Sequence, residues 1–410
     1  MPGLERPELM NRPTPPSTGL VEPRLFAVLA LLWLGGAAIR IPLLAIPPVI
    51  PLIHDDLHMS ETQVGLLIGM PLTMFALAAI PGSLFIARLG VLRVAVAGLG
   101  IATVAAAARA AAFDIWTLYA ATLLMGLGVA IFQPALPTLV RLWSPTQTWL
   151  ANAVSTNGML MGATFSSALT IPIVLPLIGG SWRLALLAWS VPGFIAALLY
   201  VVVAPRPKGI EASTQTPTAR WWPDWSSPTL WLLSIALGAN NALFFASNAF
   251  VPDYLTSIGR GDMIGATLAS LNGSQLIGSF IMLAMPERLQ RGSWPFTVFG
   301  PVTMLGLLGI VFCDGIWILV SAAAAGFGAA VTFIVTFGLP AVLSPPGEVH
   351  RMAGGMFTIS YTIAVIVPVI CGAFWDLTGL PWTSFLPMAI CAVCLTIFGT
   401  ALILRGAHQR

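Results

Sequence analysis

Residues 25–53 read LFAVLALLWLGGAAIRIPLLAIPPVIPLI. The run holds one charge, Arg40, and exceeds the about 20 apolar residues that carry a helix across a ~30 Å hydrocarbon core. Arg40 stands near its middle, and Pro42, Pro47, Pro48 and Pro51 crowd the stretch that follows. A helix of that length with no polar face has no place on a soluble protein. The reading is a membrane-spanning helix, bent by proline beside an embedded cation, with backbone carbonyls freed where a water-filled cavity can satisfy them.

The rest of the 410 residues agrees. The chain is 57% hydrophobic, and only 8% of it is charged, with a mean hydropathy of +0.91. A soluble surface needs about 25% charge, so a string of soluble domains is excluded. The net charge of +3 is spread rather than clustered, which excludes a nucleic-acid surface. Twelve apolar runs appear, at about 25–53, 62–86, 92–112, 115–140, 148–177, 183–204, 229–256, 263–285, 295–313, 315–343, 352–375 and 382–404. The fold class is an all-α membrane protein of twelve transmembrane helices in two six-helix bundles, 24–204 and 229–405. Residues 1–23 are expected to form a disordered cytoplasmic tail, 205–228 a mobile cytoplasmic linker rich in Pro, Thr and Trp, and 406–410 a short cytoplasmic tail. Ser60-Glu61-Thr62-Gln63 has the spacing of a capping box opening the second helix.

Basic residues set the orientation. Arg88, Arg93, Arg141, Arg206, Lys208, Arg220, Arg288, Arg291, Arg351 and Arg405 fall on the side of both termini; the opposite loops hold Arg183 and Arg260, with Arg109 near an outer helix end. Both termini are expected in the cytoplasm. The halves also repeat at a displacement of about 200 residues. Gly65 matches Gly265, Arg88 matches Arg288, Asp114 matches Asp314, and Gly126-Leu-Gly128 matches Gly326-Phe-Gly328. Parallel repeats about an axis along the membrane normal are a transporter architecture.

On these residues the chain resembles the major facilitator superfamily, and within it the cyanate permease/nitroimidazole transporter (CynX/NimT) group. The narrower likeness is carried by Ile39-Arg40 with Pro42 and Pro51, by Gly126-Leu-Gly128 with Pro137 and Arg141, by Phe250-Val251-Pro252, and by Gly372 with Asp376-Leu-Thr-Gly379. The resemblance implies a secondary transporter working by alternating access in a bacterial inner membrane, with no cofactor and no enzyme activity. It departs from the family at Ala87-Arg88-Leu89-Gly90, where the family has an acidic residue three before the Gly. Arg88 and Arg93 remain, so the charge lock of that loop is at best partial.

Arg40 is the centre of the functional reading. A mid-membrane charge is costly unless it faces protein or water. All 15 acids lie in tails, loops or helix ends, so the guanidinium lacks a fixed carboxylate and suits a diffusible one or a delocalised small anion. By the repeat, Arg40 corresponds to Asn240 or Asn241. Asn241, Phe244, Phe245 and Asn248 follow helical spacing along one stripe. Trp33 shares the face of Arg40, and Gln133, Asn157, Asn272, Gln275 and Tyr361 supply further polar groups inside spans. These with Arg40 form the candidate substrate site, each intramembrane amide competing with a role as interhelical glue. Pro42, Pro47, Arg88, Arg93 and Arg109 are candidate conformational residues, with an anchoring or local pairing role beside Asp114 preferred for Arg109. Cys391-x-x-Cys394 is read as core packing, and no metal site is expected.

The expected cargo is a small anion or weakly acidic molecule, cyanate-like, carboxylate or nitroimidazole-like. The partners are that cargo, the bilayer, and a co-transported proton or exchanged anion, with no nucleic acid; a monomer is expected. The alternative is an exporter of neutral or amphipathic compounds in which Arg40 serves the fold. An intramembrane enzyme finds no support, because His54, His58, His350 and His408 all lie in or near loops.

Overall fold

The computed structural model describes residues 23–59, 61–205, 221–290, 292–345 and 347–408. The expected segments 1–22, 206–220 and 409–410, and Ser60 of the capping box, lie outside them. Among the described residues, twelve helices are long and apolar enough to span a bilayer: α1 (Leu25–Val49), α2 (Leu66–Leu89), α3 (Val91–Ala111), α4 (Ile115–Trp143), α5 (Thr148–Leu177), α6 (Trp182–Val202), α7 (Pro228–Ser257), α8 (Gly261–Ala284), α9 (Trp294–Phe312), α10 (Ile316–Leu343), α11 (Val349–Thr378) and α12 (Pro381–Leu404). Among the described residues there are no strands. That is the structure lipid permits, since every helical backbone group is satisfied internally.

Proline marks where helices break. The first α-helix ends at Leu44, and after a turn at Ala45-Ile46 the chain makes a 3-10 turn, Pro47–Val49, and a short helix, Ile50–Leu57. The apolar run 25–53 is thus a bent span rather than one straight helix. In α4 the break comes at Gln133-Pro134, between helical segments Ile115–Phe132 and Ala135–Trp143. Pro134 can donate no backbone bond there.

The six-helix pattern occurs twice. Helix α1 packs on α5 and α6, α2 on α4, and α3 on α4 and α6; in the second half α7 packs on α11 and α12, α8 on α10, and α9 on α10 and α12. Small residues permit the closest approaches. A side chain at Gly158 or Gly162 of α5 would strike the α1 backbone at Trp33 or Ala37, and one at Gly36 would strike Ser155. Gly69 of α2, by contrast, faces open space and makes no close contact.

The halves meet mainly through α2 with α11, α5 with α8 and α10, and α4 with α10 and α11. The meeting is one-sided. Asn152 donates to the Ile334 carbonyl at 2.8 Å, Arg141 to the Ser344 carbonyl, and Gly354 lies against Ala79 and Ser83. All of these sit toward the face that carries the termini. At the opposite face the ties among the described residues stay within a half: Arg183 pairs with Asp56, Arg260 with Asp314, and Tyr254 donates to the Val311 carbonyl. A second apolar core there, built from Ala45, Ile46, Val49, Ile53, Leu118, Trp182 and neighbours, belongs to the first half alone. Among the described residues, the ties between the halves therefore gather at the terminal face.

Candidate functional site

Arg40 projects from the middle of α1, half-buried, between the buried Ile39 and Ile41. Its guanidinium lies over the Phe333 ring of α10, 5.9 Å from the centroid. Among the described residues it makes no hydrogen bond and no ion pair. The span acids are remote, with Asp253 and Asp376 close to the opposite-face ends of α7 and α11. A ring face is worth about 0.5–2 kcal/mol to a cation, which leaves five N–H donors unspent.

Beneath Arg40 lies an aromatic floor. Phe333, Phe337, Phe357, Tyr361 and Phe75 follow one another with centroids 5.5, 5.5, 6.2 and 5.0 Å apart. The series crosses from α10 and α11 of the second half to α2 of the first. Gln133, at the proline break of α4, donates to the Tyr361 hydroxyl at 2.7 Å and so ties the floor across the same boundary. Its carbonyl oxygen is buried without a partner.

On the first-half wall, Trp33 donates to Asn157 at 2.9 Å, and Asn157 donates in turn to Ser279 of α8 at 3.0 Å. Both ends of that amide are engaged, so Asn157 clasps the halves. On the second-half wall Asn241 donates to Ser360 at 2.9 Å. Asn240 turns instead toward α10, donating to the Ala329 carbonyl and accepting from Thr332, at 3% exposure. It is interhelical glue, unlike its expected role in the site. Further along the wall the amides form a chain: Gln275 donates to Asn272, Asn272 to Asn248, and Asn248 to the Phe244 carbonyl. Phe244 and Phe245 meet edge to face at 5.1 Å beside it. Asn248 and Asn272 are only half-buried, which keeps this ladder accessible.

The expected conformational residues divide. Pro42 is buried beside Arg40, and Pro47 is exposed in the 3-10 turn. Arg88 and Arg93 are exposed, and among the described residues neither makes an ion pair. On that face Arg141 donates to the Ser344 carbonyl across the two halves. Arg109 is 1% exposed, with its Nε donating only to the Ala106 carbonyl and one terminal nitrogen unpartnered. It is neither an interfacial anchor nor a partner of Asp114, which caps α4 through Thr117 at 2.8 Å. The Thr117 hydroxyl holds the Asp114 carboxyl below the usual carboxylate range. The hydrogen bond from Arg183 does the same for Asp56.

Sequence reasoning named Tyr361 but missed Ser279 and the rings of Phe333, Phe337, Phe357 and Phe75. Phe333 and Phe337 recur at one helical turn in α10, which was the available signal.

The description of the Major Facilitator Superfamily matches residues 32–366. The 2-nitroimidazole transporter of Escherichia coli (strain K12) is 25% identical over 397 residues, covering 93% of this chain and 97% of that one. The cyanate transport protein CynX of the same organism is 23% identical over 378 residues, covering 90% and 95%. The crystal structure of the superfamily transporter FucP in the outward conformation aligns with a TM-score of 0.71 at 13% identity, over 91% of this chain and 98% of that one. That likeness concerns the fold.

Proposed function

This chain belongs to the Major Facilitator Superfamily of secondary transporters, and on that premise we propose that it moves a small anion or weakly acidic molecule, with Arg40 as the central binding residue. One observation carries the reading. A mid-span guanidinium rests on a ring, and among the described residues its donors are unspent and no carboxylate accompanies it. A planar fork of that kind binds carboxylate-like and delocalised anions through paired, charge-assisted hydrogen bonds. The half-buried amides of Asn248 and Asn272, with the Phe244 and Phe245 rings, discriminate shape and hydrogen bonding without adding charge. Cyanate-like and nitroimidazole-like compounds fit this combination.

Arg88, Arg93, Arg141, Arg288 and Arg351 lie at the terminal face against Arg183 and Arg260 at the other. The termini are therefore cytoplasmic in a bacterial inner membrane, and the conformation described faces outward. The halves 24–204 and 229–405 rock as units about the site, in a monomer.

The test is a thermal-shift panel of nitrate, cyanate, small carboxylates and nitroimidazoles on the purified wild type, Arg40→Lys and Arg40→Ala. Hydrogen bonds to a charged group are worth about 1.5–3 kcal/mol, so Arg40→Ala should weaken the stabilising compounds about 10- to 150-fold. Stabilisation by the same anions at the same concentrations in Arg40→Ala would refute the site. The contact with Phe333 favours a second reading, in which Arg40 holds α1 to α10 and the cargo is neutral or amphipathic. Neutral compounds stabilising wild type and Arg40→Ala alike would select it.

A further inference from the structure

The charge that makes Arg40 a binding residue also limits how the protein can return after releasing its cargo. Alternating access passes through a state closed at both faces. Here the terminal side is already shut by the Gln133–Tyr361 bond and by the rings from Phe333 to Phe75. Closing the other side over an empty site leaves the guanidinium in a sealed volume.

Its fixed contacts there are poor. Phe333 offers a ring face at 5.9 Å. Asp253 and Asp376 stay at exposed helix ends beyond reach of mid-span. The unpartnered oxygen of Gln133 is neutral, and the Asn241 amide is committed to Ser360. Dehydrating an unpaired ion costs far more than a ring face returns. A bound monovalent anion removes that cost, because the pair is neutral and hydrogen-bonded.

We infer that only the loaded protein crosses readily between its two facing states, which makes it an obligatory exchanger carrying one small anion in each direction. The inference rests on the reading of Arg40 as the anion site. No proton need be held by the protein, in keeping with spans whose acids lie only at their ends.

The experiment reads the empty protein directly. Ser83 of α2 is fully buried at the closed seam, donating to the Trp221 carbonyl and lying against Gly354 of α11. Maleimide labelling of Ser83→Cys, after subtracting the same protein without it, reports opening of the terminal face. It is measured in zwitterionic buffer without added salt, on proteins carrying Arg40, Arg40→Lys or Arg40→Gln, with Arg40→Met as the second neutral variant should Arg40→Gln not fold. Slow labelling is expected with Arg40 and with Arg40→Lys, and labelling at least about tenfold faster in the neutral variant, which has no ion to dehydrate. Equal rates with Arg40 and the neutral variant would overturn exchange, as would an Arg40→Lys rate matching the neutral one. Thermal shifts with nitrate and cyanate on the same proteins separate the two claims. Anions that stabilise the Arg40 protein and not the neutral variant leave the site standing even where equal labelling rates remove the exchange.

Discussion

Tyr361→Phe removes one oxygen from the floor of the cavity and leaves its packing in place. The ring is 1% exposed and held between Phe75 and Phe357, contacts that phenylalanine keeps. What goes is the 2.7 Å bond from Gln133. The Gln133 oxygen already lacks a partner, so the substitution strands both ends of a buried amide. Because the bond joins α4 to α11, from one half to the other, it exists only while the terminal face is closed. Interhelical hydrogen bonds in membranes are worth ~0.6 kcal/mol on average and about 1.7 at most. At about 1.4 kcal/mol per tenfold, the closed population should fall relative to the open one by about 3- to 16-fold. Pulsed electron resonance between spin labels at the exposed terminal-face positions Arg93 and Leu289 measures the two populations. An unchanged distance distribution, or one shifted toward the closed form, would refute the assignment of Gln133–Tyr361 to the gate.

Gly158→Ala should lower the melting temperature of the purified protein, since its methyl meets the Trp33 backbone and overpacking costs about 1–3 kcal/mol. Gly69→Ala, into open space, should leave it unchanged or raise it slightly, and equal losses in the two would contradict the packing described. Arg109→Met should keep or raise the melting temperature, because it removes a buried cation that has one weak carbonyl contact; a large loss would restore an anchoring role. The Asp114 cap has a sign. Its carboxyl is depressed in the folded protein, so its contribution is present above the usual carboxylate range and lost as pH falls through the lower folded value. Amides in the first turn of α4 should therefore exchange faster, relative to their intrinsic rates, as the pH drops below about 4, and Asp114→Asn should flatten that dependence.

The spans, their number and the doubling of the bundle were legible because hydrophobic length and an offset of 200 residues are properties of the linear chain. Arg40 was legible for the same reason, as the one charge in the middle of a run. Partnerships were not. Asn157 and Asn240 look alike in sequence, yet one joins the halves through Ser279 and the other secures α7 to α10. Only the rotation of each helix decides this, and a residue list does not contain it. Arg109 was misplaced because nearness to Asp114 in sequence suggested a pair, whereas the aspartate is occupied by the helix start at Thr117. Glycines inside spans look alike in sequence, but Gly158 and Gly162 of α5 face a neighbouring backbone and Gly69 of α2 does not. The Trp-rich end of the expected linker is tied through Trp221 to Ser83 of the first half and through Trp222 to Arg351 of the second.

One guanidinium, that of Arg40, recruits the cargo in the proposed cycle. Uptake into proteoliposomes of whichever labelled anion most stabilises the wild type, compared across wild type, Arg40→Lys and Arg40→Ala at equal reconstitution, tests it most directly. Full uptake is expected in the wild type, a reduced rate with lysine, which keeps the charge but loses the planar fork, and background flux with alanine. Uptake by Arg40→Ala at the wild-type rate and with the wild-type KM would contradict it.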